Sequence, residues 1–156
     1  MSYFQEARCA ELSTIDYLET QINASWTAVS TIKSFTNAYK TALPVVCIRL
    51  LDTGSERREI GGTTLLNDYT IAIDLFCKSD GQRIDLAAFI LDKLKDPWTY
   101  SDYSQTSGAP ETLTKVANGK LHVRRFIENN KIDFGEEGVD KYDLFRHILM
   151  IQVRKV

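Results

Sequence analysis

The stretch from Ile60 to Asp96, IGGTTLLNDYTIAIDLFCKSDGQRIDLAAFILDKLKD, carries three local signals in order. A double glycine comes first, then a strand, then the sharp start of an amphipathic helix. Tyr69, Ile71, Ile73, Leu75 and Cys77 fall on one face of a period-two pattern, with Thr70, Ala72 and Asp74 on the other. Ser79 stands where its oxygen can accept from the N–H of Gln82 while Gln82 reaches back, as in a capping box. Ile84, Ala87, Ala88, Leu91 and Leu94 then form one helical stripe, and Pro97 stops it.

The flanking segments add strands and one more helix. Leu12, Ile15, Leu18 and Ile22 recur at helical spacing up to about Asn23, with Ser2 or Ser13 as the cap and Glu11, Asp16 and Glu19 facing water. Residues 26–35 alternate and favour a strand, and 36–43 form a connector with room for a short helical turn. Val45 to Leu51 is a nearly continuous apolar run, consistent with burial on both faces. Asp52-Thr53-Gly54-Ser55 reads as a turn and Glu56 to Ile60 as a polar return strand, which makes 45–60 a hairpin and Gly61-Gly62 a bend. Residues 98–119 are polar, turn-rich and dotted with aromatics, so they read as a long surface loop. A strand over 121–134, bulged near Asn129-Asn130, an acidic turn over 135–140 and a final strand over 144–156 complete the order. Helices in two places among hairpins predict one α+β domain over 1–156, with a twisted, mostly antiparallel sheet flanked by two main helices.

Composition narrows the function classes. A net charge of −2 provides no global basic field for nucleic acid or an anionic membrane. No apolar run has the length of a membrane span, and MSYFQEARCAELSTI lacks the charge-then-apolar order of a secretion signal. Three widely separated cysteines do not suggest a disulfide framework, and Cys47 and Cys77 read as buried thiols. His122 and His147 have no second ligand at helical spacing, so metal binding is not expected. There is no nucleophile elbow, and Gly61-Gly62 runs into Thr-Thr-Leu-Leu instead of a phosphate-cradling helix. Asp133-Phe134-Gly135 has no kinase context, and the acid pairs Asp92/Asp96 and Glu136/Glu137 read as solvated charge. Neither catalysis nor a cofactor is expected. Arg57-Arg58, Arg124-Arg125 and Arg154-Lys155 are basic pairs whose members point to opposite faces of a strand, which suits charge pairing across strands or subunits.

The segment 43–96 resembles the small neck proteins of long-tailed bacteriophages. A strand after Leu43-Pro44 leads to a polar return ending in Gly61-Gly62. Tyr69, Ile71, Ile73, Leu75 and Phe76 then mark a strand, and Gln82-Arg83, Asp85, Leu86 and Ala87 open a helix. The resemblance covers about a third of the chain directly and rests on structural motifs. It implies a tail terminator or tail-completion protein, a virion component assembled in the host cytoplasm. Such subunits form a ring, commonly a hexamer, that ends the tail tube, contacts the major tail tube protein and joins the connector proteins of the neck. Genomic DNA passes through the lumen without sequence-specific contact, and no membrane is involved. Arg57, Arg58 and Glu59 on the return strand, with Trp98, Tyr100 and Tyr103 in the excursion at 98–119, are the residues expected to touch neighbouring subunits. Two alternatives remain open. One is another neck component, a head-completion or connector-adaptor protein. The other is a bacterial small-molecule or peptide-binding α+β domain.

Overall fold

The computed structural model describes residues 2–106, 112–133 and 139–156. The elements run β1 (Ser2–Tyr3), α1 (Glu6–Ser25), β2 (Ser30–Ile32), α2 (Phe35–Ala38), β3 (Val45–Arg57), β4 (Leu65–Phe76), α3 (Asp80–Lys93), β5 (Trp98–Thr106), β6 (Thr112–Ile132), α4 (Lys141–Leu144) and β7 (Arg146–Lys155). The strands form one sheet in the order β1-β5-β6-β7-β4-β3-β2. β2 joins β3 in parallel, and the remaining neighbours pair antiparallel. The chain is α+β.

α1 touches both β5 and β3, although β6, β7 and β4 lie between those strands in the sheet. The sheet therefore curls around the helix. α3 packs beside α1 against β4 and β7, so the two long helices share one face. Leu18, Ile22, Ile48, Tyr69, Ile71, Ile73, Leu86, Ile90, Leu149 and Ile151 fill the space between helices and sheet. Each fully buried aliphatic side chain there stabilises the fold by about 1.5–3 kcal/mol. On the opposite face, Val45, Cys47 and Phe76 meet Ala38 of α2 and Tyr142 of α4 in a smaller cluster. This explains the apolar run at 45–48: alternate residues serve different cores, and all four are fully buried.

Several local expectations shift. β3 continues straight through Asp52-Thr53-Gly54-Ser55 with only a bulge between Leu50 and Asp52, and its antiparallel partner is β4. The reversal falls at 58–64, where Arg58 N–H donates to Thr64 O and Gly62 N–H to Glu59 O, and Gly61 takes a φ of 80°. Turn-forming residue types yielded because the ladder from Val45 to Arg57 satisfies their backbone groups. Of the segment 26–35, only 30–32 is strand. The α3 stripe is rotated: Arg83, Leu86, Ala87 and Ile90 are buried, while Ile84 is 44% exposed. The β6 bulges lie between Val123 and Arg125 and between Phe126 and Glu128, not at 129–130. The acidic turn expected over 135–140 lies largely outside the described residues, as do Glu136, Glu137 and the last two residues of Asp133-Phe134-Gly135.

The largest correction concerns 98–119. Its described part is no loop but β5 and the first half of β6, paired from Trp98↔Leu121 to Thr106↔Thr112; residues 107–111 lie outside the described residues. Trp98, Tyr100 and Tyr103 are the inward side chains of β5, 2%, 1% and 5% exposed. Trp98 stacks on Tyr17 of α1 at 5.4 Å between ring centroids. Ser and Thr between the rings give the stretch its polar, loop-like composition, but aromatics and Thr also suit a half-buried strand. β6 bends where Gly119 takes a φ of 98°; a Cβ there would stand 2.9 Å from the Val156 carbonyl oxygen. Only glycine allows that close approach.

Candidate interaction surfaces

Among the described residues, the longest stretches of strand with one edge unpaired lie in β3 and in the two halves of β6. β3 has β2 beside it only at Val45–Cys47, so among the described residues 48–57 pair with β4 alone. β6 changes partner midway. Its first half pairs only with β5 and its second half, from His122, only with β7. Of the 21 residues in β6, Leu121 alone is buried. Open edges offer unpaired N–H and C=O groups to any extended chain.

Beyond the body of the sheet, β3 and β4 continue as a two-stranded arm. Leu51 through Arg57 are exposed on both faces, and β4 residues 65–67 pair with β3 alone. Ile60 at the tip is fully exposed, and Leu51 and Leu65 are 44% and 52% exposed. The arm is fixed at its root. Asp68 accepts from Arg154 Nε at 2.7 Å and Nη2 at 2.9 Å, and from Arg124 Nη1 at 2.8 Å. Arg154 also reaches Glu56 at 3.1 Å. Burial pushes the Asp68 carboxyl up, but the Arg154 and Arg124 hydrogen bonds and charges outweigh it and hold the group below the ordinary carboxylate value. The two-pronged arginine contact gives direction as well as attraction, so β3, β4, β6 and β7 are tied together where the arm leaves the sheet.

Nearer the body, the β3 edge is closed by a side chain. Glu11 of α1 is 5% exposed. It was expected to face water; instead it accepts from the Leu50 N–H at 2.6 Å and from Lys33 Nζ at 2.6 Å. The carboxylate takes the place of a neighbouring strand's carbonyl. Position within a helical stripe does not reveal such a contact, because its partner lies 39 residues away.

The residues expected at subunit contacts separate into two groups. Arg57, Arg58 and Glu59 are exposed at the end of the arm. Trp98, Tyr100 and Tyr103 lie in the chain's own core and present almost no surface. The structure does not bring the two groups together.

Other polar clusters are built to hold the fold. Asp74 is fully buried; Arg146 Nη2 lies 3.1 Å from Oδ1 and Arg49 Nε 3.7 Å from Oδ2. Both guanidinium groups lie over the Phe35 ring. An aspartate within the apolar run from Ile71 to Phe76 is the sequence signal for this cluster. Arg83 donates to Asp80 at 2.6 Å and to the Arg146 carbonyl at 3.0 Å, joining the start of α3 to β7. His147 is buried, with Nε2 2.6 Å from Asn129 Oδ1. Burial first, then Arg83 and Lys131, lowers its pKa below 6.5. The thiols of Cys47 and Cys77 are pushed up to about 11 and about 12, chiefly by burial, which keeps them protonated and unreactive. A cavity of about 490 Å³ opens between α1 and the β5–β6 hairpin, lined by Asp16, Tyr17, Trp98, Ser101, Tyr103 and Lys115 among others. Lys115 and Asp16 pair at 2.6 Å on its rim. Among the described residues no group of three or more His, Cys, Asp or Glu could hold a metal ion, and no helix is long and apolar enough to cross a membrane.

No protein-family model matches the chain. No curated protein sequence matches it either.

Proposed function

We propose that this chain is a structural subunit of a bacteriophage neck, a tail-terminator or tail-completion protein. It acts by assembling with copies of itself and not by covalent chemistry. The fold that the resemblance implies, a twisted, mostly antiparallel sheet flanked by two main helices, is the scaffold of that ring subunit. The ring, commonly of six subunits, ends the tail tube on the side facing the head. It receives the neck connectors on one side and the tube on the other, and genomic DNA crosses its lumen without sequence readout. The single observation behind this reading is the clamped, exposed β3–β4 arm on a sheet with open edges. A two-stranded ribbon without a core is marginal in water, so an arm held rigidly away from the body is suited to a partner. The resemblance over 43–96 supplies the kind of partner.

Sedimentation velocity over a range of concentrations, followed by negative-stain microscopy, tests the reading. Closed rings with a central hole are expected. A chain that stays monomeric at every concentration and does not bind purified tail tubes overturns it. A density map of the virion distinguishes a terminator from a head-completion or connector-adaptor role by the level at which the ring sits. The cavity between α1 and β5 favours a second reading, a small-molecule-binding domain. A monomer whose melting temperature rises with one metabolite would replace the first reading with the second.

A further inference from the structure

The two halves of β6 and the arm of β3 leave backbone groups without strand partners, and the pattern of those edges carries more than the existence of an assembly. Residues 51–57 of β3 and 112–119 of β6 are each paired on one side only among the described residues. Every residue in both is exposed, and they are nearly equal in length. Neither contains proline or is short enough to count as a blunted edge, although β3 is bulged between Leu50 and Asp52 and both stretches carry charged side chains. Further along β3, the Leu50 N–H is already covered by Glu11. Coverage of the edge stops where the arm begins.

We infer that the outer edge of β3 at 51–57 in one copy adds to the open edge of β6 at 112–119 in the next copy. One sheet would then continue from subunit to subunit. The inference rests on the assembly proposed above and specifies its contact. Charge favours this pairing over β6 with β6. The stretch 112–119 has one ionisable side chain, Lys115, and the stretch 51–57 carries Asp52 and Glu56 with Arg57. Antiparallel pairing of β6 with its own copy in the register centred on Lys115 would bring two Lys115 side chains together, and like charges across strands are destabilising. Pairing with the arm sets Lys115, which in its own chain already pairs with Asp16 at 2.6 Å, beside a stretch with two acids and one base. The two edges are also different surfaces, so the contact is head-to-tail: each added copy leaves one arm and one β6 edge for the next. Such a contact closes into a ring when the rotation allows it, whereas a self-complementary contact stops at a dimer. The clamp of Asp68 by Arg154 and Arg124 fixes the direction of the arm and hence the angle between copies.

Hydrogen exchange on the unaltered chain tests the contact. Assembled and diluted samples are compared. Amides in 51–57 and 112–119 should gain protection together on assembly, while those in the second half of β6 should not. A second measurement uses cross-linking between copies. Ser55→Cys and Thr114→Cys are made in separate chains, mixed and treated with a short bifunctional maleimide. The native thiols Cys9, Cys47 and Cys77 are buried and stay silent. Mixed dimers that form only when both variants are present support the pairing. Asp52→Lys, which places a second positive charge near Lys115, should weaken assembly roughly tenfold without changing the circular dichroism of the monomer. Rings that form with neither joint protection nor mixed cross-links overturn the edge contact and leave the assembly reading standing. A chain that is monomeric throughout overturns both.

Discussion

At the residue scale, Glu11 shows how one side chain can substitute for a strand. Its carboxylate meets the Leu50 N–H and Lys33 where β2 has ended and β3 would otherwise present a bare edge. Glu11→Ala leaves that amide without its acceptor and should lower stability by about 1–3 kcal/mol in urea unfolding. Glu11→Gln keeps an acceptor oxygen and should lose less. His147 sets a second expectation. Well above pH 6.5 the ring is neutral in both folded and unfolded chains. Below that, the unfolded chain takes up a proton that the buried ring, beside Arg83 and Lys131, resists. Folding stability therefore decreases as pH is lowered, until the folded ring titrates as well. In His147→Gln, stability measured by denaturant midpoint should fall less steeply on the acid side of neutrality than in the parent.

Elements follow their local patterns where a local contact sustains them. The start of α3 is an example: Gln82 N–H donates to Ser79 Oγ at 3.1 Å, and the Gln82 side chain reaches back to the Lys78 N–H at 2.8 Å, one residue earlier than a standard capping box. The period-two reading of Tyr69 to Leu75 also holds, since those residues enter the helix-facing core. β5 was not legible for a physical reason. Its rings are buried by α1, distant in sequence, and residues 98–106 hold Ser, Thr or Asp at five of nine positions. The placement has a direct consequence. Trp98→Ala removes a stacked core ring and should cost about 3–5 kcal/mol of monomer stability by thermal or denaturant unfolding. A surface-loop tryptophan would cost almost nothing.

For the whole molecule, the proposed assembly should be separable from the stability of the fold. The core lies between the long helices and the sheet, and the arm projects beyond it. Arg57→Ala combined with Arg58→Ala changes exposed side chains at the end of the arm. Monomer stability should therefore move by no more than about 0.5 kcal/mol, while assembly measured by sedimentation weakens. Equal losses in both would mean that the arm belongs to the folded core. The curl of the sheet around α1 creates this division: it brings β5 and β3 to one helix and leaves outer stretches of β3 and β6 with one edge each.

The sequence alone determined the α+β character, the doubly buried strand at 45–48, the alternation of β4 and the capped start of α3. Each depends on spacing within one or two turns or a few strand residues, where periodicity and capping act. Only the tertiary structure decided that β3 runs through its turn-forming residues, that Trp98, Tyr100 and Tyr103 are core, and that Glu11 closes an edge. Those outcomes depend on partners far away in the chain, as with Asp68 and Arg154, 86 residues apart. Burial and hydrogen bonding between distant segments outweigh local propensity, and no short window of sequence contains both partners.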